Sequence, residues 1–358
     1  MMMKTLFWLR DEVKVGEHRT ALTPEGAKAL IDAGANVVVE RSDTRIFADQ
    51  AYLDVGCELA DGHSWMEAPE HAYILGLKEL AEESFPLTHK HIYFAHAFKG
   101  QDEAPQILSR FKAGGGQVLD LEFLRDEQGR RVCAFGYWAG YVGAAIGFSG
   151  YVHHLHCKDT YPAVGSYPDR AEYLAVLREQ VASLTEAPRV LVIGQYGRCG
   201  KGAMDLFAEL GIQADGWDIE ETKAGGPFTA INDYDILVNC AYLAEGTPPF
   251  ITQESLGTSP RLSMVSDVSC DPNNPDNPIR IYNQSTKLVK PIIESDVAGL
   301  YVQAVDHLPT VLPKESSEDF AEQLLPHLLT LSQGADPQGI WSRAEDFYRT
   351  AESAVVGN

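Results

Sequence analysis

Between Arg189 and Gly211 the chain reads RVLVIGQYGRCGKGAMDLFAELG, an apolar run that enters a glycine turn and leaves it as a helix-patterned segment. No other stretch constrains the fold as much. Gly194, Gly197 and Gly200 follow the spacing GxxGxxG rather than the more familiar GxGxxG. Glycine permits a tight turn and close backbone approach to a pyrophosphate, whose charge is favoured at a helix N-terminus. Such turns also serve simply to connect a strand to a helix. Asp218 closes the next strand pattern, ADGWDI, about where an acidic residue takes a ribose hydroxyl. A carboxylate there would repel a ribose phosphate and favour NAD over NADP, although Asp218 also reads as a plain strand-end cap. Arg198, inside the turn, would weaken that preference by contacting a phosphate.

The same alternation runs through the first third of the chain. TLFWL is a short apolar run, and ALTPEGAKALIDAG carries Thr23 as N-cap, Pro24 at the first helical position and Gly34 at the stop. ANVVVE, YILGLKEL, HIYFAHAF and QVLDLEFL read as strands, with a helix through QILSRFKAGGG before the last. Strands alternating with helices indicate a mostly parallel sheet covered on both faces. After a Pro- and Gly-containing opening, the segment 158–188 turns helical and leads into the second alternating unit. That unit runs through IQADGWDI, YDILVNCAYL and RLSMVSDVSC. SSEDFAEQLLPHLLTL and WSRAEDFYRTAESA then close the chain as amphipathic helices. At 358 residues the chain exceeds a single-core limit, so two domains are expected.

The formal net charge of −22 and the absence of a Lys/Arg run exclude a nucleic-acid partner, because displacing counterions needs a basic face. An acidic chain still binds anions in a local pocket where Arg and Lys overrule the global field. Val132–Val152 holds no charged side chain and is long enough to span a bilayer. Its glycines and scarcity of large aliphatics instead indicate a buried inter-domain helix whose backbone is closely approached, so no membrane association is expected. The six cysteines are scattered without a CxxC pair and read as reduced thiols in a cytoplasmic enzyme. The N-terminal MMMKTLFWLRDE has too short an apolar run for a signal peptide. His153, His154, His156 and Cys157 offer no tetrahedral spacing, so no metal is expected.

Taken together, EHRTALTPEGAKALI, ILGLKEL, HIYFAHAFKGQ, LDLEFLRDEQGRRVCAFGYWAG, GQYGRCGKGAMDL, GWDIEETKAGGPF, VNCAYL, SDVSCDPNNPDNPI and VDHLPTVLPKESSEDF follow one another as in a known family. The chain resembles the NAD-dependent, lysine-forming saccharopine dehydrogenases over nearly its whole length. It is more distantly similar to the alanine dehydrogenases through Arg19, Thr23-Pro24 and Lys78. The resemblance implies an α/β fold of two Rossmann-like domains with parallel-rich sheets and an active-site cleft between them. Residues 1–130 with 320–358 would form the substrate domain and 131–319 the NAD-binding domain. It implies oxidative cleavage of saccharopine to lysine and 2-oxoglutarate by a monomer.

That reaction needs a base for the secondary amine, an acid–base group for imine hydrolysis and cations for several carboxylates. By resemblance Lys78 is the base and His96 the acid–base group. A lysine serves as a base only where burial or nearby cations favour its neutral form. Taken alone, Lys78 reads as a solvated lysine beside Glu79 and His96 as a core histidine; the surrounding family pattern reverses both. Arg19, Gln101, Arg131 and Phe135 match substrate positions, and Ser269, Cys270 and Asp271 a loop that touches the substrate. Lys14, Lys99 and Glu122 match polar positions near the site, where tuning and ordinary surface charge compete as readings. Arg130, Gly197, Arg198, Asp218, Thr222, Tyr242 and Val268 match NAD positions, as do Val305, Asp306, His307 and Leu308. The resemblance allows a disulfide between Cys199 and Cys240, whereas composition favours free thiols. An alanine-type or other opine dehydrogenase is the alternative enzyme. An NAD-binding regulatory protein is the non-enzymatic one, opposed by the joint presence of Lys78, His96, Arg19 and Arg131.

Overall fold

The computed structural model describes residues 4–98, 104–157, 159–257 and 260–355. It divides into two compact units, one taking the chain up to Ala134 and from Pro313 onward, the other Phe135–Leu312. Boundaries expected at 130/131 and 319/320 fall at 134/135 and 312/313. A helix runs unbroken over Pro313–Ser332, and the Ala134 backbone N–H donates to Gln323 of that helix at 3.1 Å.

The first unit opens with β1 (Leu6–Leu9), α1 (Pro24–Asp32), β2 (Asn36–Glu40), α2 (Asp49–Asp54) and β3 (Glu58–Ala60). It continues through β4 (Tyr73–Leu75), β5 (Lys90–Tyr93), α3 (Ala104–Gly114) and β6 (Gln117–Asp120). The strands lie in the order β3-β2-β1-β4-β5-β6 and every pair is parallel. Parallel strands deliver their C-terminal ends to one edge, so the turns after β1, β4, β5 and β6 gather there. Thr23 caps α1 by accepting the Gly26 N–H at 3.1 Å, Pro24 fills the first turn, and Gly34 exits at φ +96°. The strand expected across QVLDLEFL stops at Asp120, whose carboxylate accepts the Glu122 N–H at 2.8 Å and turns Leu121–Phe123 into a 3₁₀ helix.

The second unit contains α4 (Gly136–His156), α5 (Arg170–Ala182), β7 (Val190–Ile193), α6 (Arg198–Glu209), β8 (Ala214–Trp217) and α7 (Ile219–Thr222). It continues with β9 (Ile236–Asn239), β10 (Ile251–Thr252), β11 (Met264–Asp267), β12 (Ile279–Arg280), β13 (Ile292–Glu294) and β14 (Tyr301–Gln303). Its main sheet is ordered β13-β14-β11-β9-β7-β8, parallel except for the antiparallel edge strand β13, while β10 and β12 pair separately. Apolar side chains cover both faces, one beneath α4 and α6, the other around Tyr234, Phe250 and Tyr282. The chain then returns to the first unit as α8 (Pro313–Ser332), against α1, and α9 (Ile340–Val355), against β6 and α3.

The uncharged segment becomes α4. No helix among the described residues is long and apolar enough to cross a membrane. Its glycines are contact points within the second unit. A Cβ on Gly140 would overlap the Cys199 carbonyl of α6, and one on Gly202 of α6 would overlap the Tyr137 carbonyl of α4. Gly143 faces Val268, Gly147 faces Ser266 and Gly150 faces Ile292, so the same helix also lies directly on the sheet. Backbone pressed on backbone leaves no room for a methyl group to relax.

Gly140→Ala should therefore destabilise the protein by at least about 1–3 kcal/mol, the scale of overpacking. Gly165→Ala, where a Cβ meets nothing within 4 Å, should stay within about 0.5 kcal/mol of wild type. Denaturant midpoints of the two variants check this; equal midpoints would show that α4 and α6 do not depend on the glycine contact.

Candidate active site

The turn after β4 carries Lys78 and the turn after β5 carries His96, on strands that pair directly. Lys78 is half-buried. Burial pushes its pKa below the ordinary value, the Arg19 guanidinium pushes it further, and Glu17 partly opposes them. Lys14 adds to the depression and Glu79 to the opposition. The setting shifts the amine toward its neutral form, the direction that a lysine base needs.

Arg19 is buried and gripped by Glu17, Nε to Oε1 at 2.7 Å and Nη2 to Oε2 at 2.6 Å. Burial alone would raise the Glu17 pKa, but the Arg19 charge and hydrogen bonds outweigh it and hold the carboxyl below its ordinary value. α8 fixes this segment, because the Thr20 N–H donates to Ser317 Oγ at 3.0 Å.

His96 adopts φ +51°, a left-handed conformation that a residue with a Cβ rarely takes. Its ring stands between two carboxylates, Nε2 3.7 Å from Glu79 and Nδ1 3.8 Å from Glu122. Glu122 in turn accepts from Arg131 Nη2 at 3.2 Å, and Lys14 lies 3.5 Å from Glu79. Beneath them Asp120, pushed up to about 6 by burial, accepts the Ala95 and Glu122 N–H groups. A cavity of about 360 Å³ opens beside His96, lined by Glu79, Tyr93, Gln106, Ile107 and Arg110 among others.

The first unit thus brings together Lys14, Arg19, Lys78, His96, Glu122 and Arg131. Sequence reasoning missed Glu17, Glu79 and Asp120, for which the only signal was their place beside Arg19, Lys78 and the end of β6. Lys99 and Gln101 lie outside the described residues. Arg130 belongs to the first unit and is turned onto Asp126 at 2.8 Å, while Phe135 is the N-cap of α4 in the second.

In the second unit Gly194 turns at φ +87° and its N–H donates to the Trp217 carbonyl at 2.8 Å. Gly197 is the N-cap of α6, and a Cβ on Gly200 would overlap the Gly194 carbonyl, so only glycine lets the helix start so close to β7. Asp218 is the N-cap of α7, and its Oδ2 accepts the Tyr196 N–H of the glycine turn at 3.1 Å. Cap and turn-facing acid are one residue. Thr222 binds back to the Asp218 carbonyl at 2.8 Å, and Arg198 opens α6. Tyr242 is exposed, as is Asp306; His307 Nδ1 lies 2.5 Å from Asp306, while Val305 and Leu308 are buried. The backbone of Val268 is tied to Asn239 at 2.9 Å. Ser269 and Asn239 both donate to the fully buried Asp267, at 3.1 and 2.9 Å, which anchors the loop carrying Cys270 and Asp271. All six cysteines are free thiols, Cys199 and Cys240 among them.

A parallel sheet with a glycine turn and an acid at the next strand end, and another with lysine and histidine on neighbouring strands, define a Rossmann-type α/β dehydrogenase. Residues 8–142 match the family model "Alanine dehydrogenase/PNT, N-terminal domain". A solved L-alanine dehydrogenase shares the fold at a TM-score of 0.65 with 15% identity, covering 97% of this chain and 94% of that one. Over 353 residues the chain is 46% identical to saccharopine dehydrogenase [NAD(+), L-lysine-forming] of Yarrowia lipolytica, covering 95% of both. It is 47% identical over 358 residues to that of Schizosaccharomyces pombe, covering 96% of this chain and 97% of the relative. The chain belongs to the family of NAD(+)-dependent, L-lysine-forming saccharopine dehydrogenases.

Glu17→Ala would leave the Arg19 guanidinium buried without its carboxylate. Breaking a buried pair in this way costs about 3–5 kcal/mol. Because the Glu17 pKa is depressed in the folded state, its contribution is present above the ordinary carboxyl value and lost as pH falls through the folded one. Unfolding at pH 7 and at pH 3 checks both points: the gap between wild type and variant should shrink in acid.

Proposed function

We propose that this protein catalyses the reversible, NAD-dependent oxidative cleavage of saccharopine to lysine and 2-oxoglutarate. The observation that carries the reading is Lys78: an amine shifted toward its neutral form by burial and by Arg19, carried by the strand next to that of a histidine set between two carboxylates. Gly194, Gly197 and Gly200 would leave room for a pyrophosphate at the start of α6, and Asp218 would take the ribose hydroxyl. Bound there, NAD supplies the hydride acceptor for the glutamate-side carbon. Lys78 takes the proton of the secondary amine as its C–N bond becomes an imine. His96 then takes a proton from the attacking water and returns one to the lysine nitrogen as the carbinolamine collapses. Arg131, at 44% side-chain exposure, is the more accessible anchor for substrate carboxylates; Arg19 is 4% exposed and bound to Glu17.

Gln101 and Phe135, with the loop Ser269–Asp271, complete the substrate set of this reading, and Lys14, Lys99 and Glu122 its tuning groups. Arg130, Arg198, Thr222, Tyr242, Val268 and the run Val305–Leu308 complete the cofactor set. The reading takes the enzyme as a cytoplasmic monomer, supported for the compartment by the six free thiols; its sedimentation mass tests the monomer.

The test is NADH production from saccharopine, with alanine as the competing substrate. Turnover with alanine and none with saccharopine would overturn the reading. With saccharopine, kcat/KM should rise with pH along a limb lying below the ordinary lysine value of 10.5. Glu17→Gln removes the anion that favours protonated Lys78, so that limb should move to lower pH. A limb that stays in place would show that another group is the base.

Asp218→Ser removes the charge that repels a ribose phosphate. The preference for NAD over NADP, read as the ratio of kcat/KM values, should narrow in the variant. Wild-type activity equal with both cofactors would remove Asp218 from the ribose.

A further inference from the structure

The turn that carries Lys78 is held on its backbone by a buried ion pair from the end of β1. Arg10 and Glu12 expose 1% and 8% of their side chains and meet at 3.2 Å. Glu12 uses both oxygens, Oε1 accepting the Leu77 N–H at 2.7 Å and Oε2 the Lys78 N–H at 2.9 Å. Arg10 Nη2 donates to the Lys78 carbonyl, so both backbone polar groups of the lysine are fixed. Residue 76, two positions before the lysine, is a glycine, and a Cβ there would overlap the Arg10 guanidinium. Arg10 also lies over the Tyr93 ring, 5.6 Å from its centroid. One layer further in, fully buried Glu40 accepts from Trp8 Nε1 and from the N–H groups of Asp11, His63 and Trp65, between 2.6 and 3.1 Å. The Asp11 carboxylate then receives the Glu12 N–H at 3.0 Å.

The geometry points to Arg10 and Glu12 as positioning residues that fix where the Lys78 amine stands. Burying two charges is costly, and a pair of this kind is weak evidence for stability alone. Here every charged hydrogen bond beyond the pair itself and the Asp11 carbonyl goes to the backbone of residues 77 and 78. Neither residue is among the largest causes of the Lys78 shift, which are burial, Arg19, Glu17, Lys14 and Glu79. Their contacts with Lys78 are to its backbone N–H and carbonyl, which makes placement the effect they exert on it. Misplacement of a reacting group by about 1 Å costs on the order of 10²-fold in rate.

This inference rests on Lys78 acting as the base, and a double-mutant cycle on the full-length enzyme separates the two. Glu12→Gln replaces one acceptor oxygen by a donor that faces a backbone N–H. It should lower kcat with saccharopine by about ten- to a hundredfold. KM for NAD should stay at its wild-type value. In a Lys78→Met background the same change should cost less than about twofold, since the group being placed is gone. If Lys78→Met alone leaves kcat unchanged, the reading of Lys78 as base fails. If Lys78→Met is slow but Glu12→Gln is not, or if Glu12→Gln costs as much with Met at position 78, the positioning inference fails. Amide hydrogen exchange of wild type covers the case in which Glu12→Gln does not fold. The Leu77 and Lys78 N–H groups should be protected as strongly as those of β4, and rapid exchange at both would overturn the clamp.

Discussion

Charge inside a protein must be matched close at hand, and this requirement organises the edge of the first unit that carries Lys78 and His96. Arg19 is buried against Glu17, Arg10 against Glu12, and Glu122 stands between Arg131 and His96. Lys78 is left half-buried in the field of these neighbours. Removing one member therefore changes the balance of charge around its partner. The parallel sheet makes the arrangement possible, because the ends of β1, β4, β5 and β6 all open on one edge. An antiparallel sheet would send alternate turns to the opposite edge.

The second unit is governed by a different constraint, the distance of backbone from backbone. α4 lies on α6 through Gly140 and Gly202, and α6 starts against β7 through Gly200. Each glycine removes a side chain from a place where main-chain atoms already fill the space. The hydrogen bond from Tyr196 N–H to Asp218 then draws the end of β8 to the turn after β7. Helix position, turn shape and the acid that faces the turn are consequences of one close-packed layer.

Much of this was legible in the sequence because it is local. The glycine spacing, the N-cap at Thr23, the alternation of strands and helices and the ends of the strands bearing Lys78 and His96 are all short-range patterns. What was not legible depends on distance in the chain. Glu12 is one acid among several near the N-terminus, and nothing in LRDE shows that it binds the backbone of Leu77 and Lys78. Glu17 reads as an ordinary surface acid until Arg19 is seen buried against it. The strand expected through QVLDLEFL ended early because apolar periodicity does not register a side chain that captures the backbone, as Asp120 does. The left-handed backbone of His96 likewise follows from the turn after β5, not from any preference visible in FAHAF.

These two kinds of charge act on Lys78 in separable ways. Arg19, Lys14, Glu17 and Glu79 lie where their fields reach the amine and decide how readily it holds a proton. Arg10 and Glu12 are equally charged and touch the same residue, but they are of opposed sign and their bonds go to its N–H and carbonyl. A cation alone in the place of Arg10 would hold the turn while also depressing the amine. An anion alone in the place of Glu12 would hold it while favouring the proton. A pair of opposed charges fixes the backbone while acting on the amine less than either charge alone would, which gives the buried salt bridge a purpose that its stability would not.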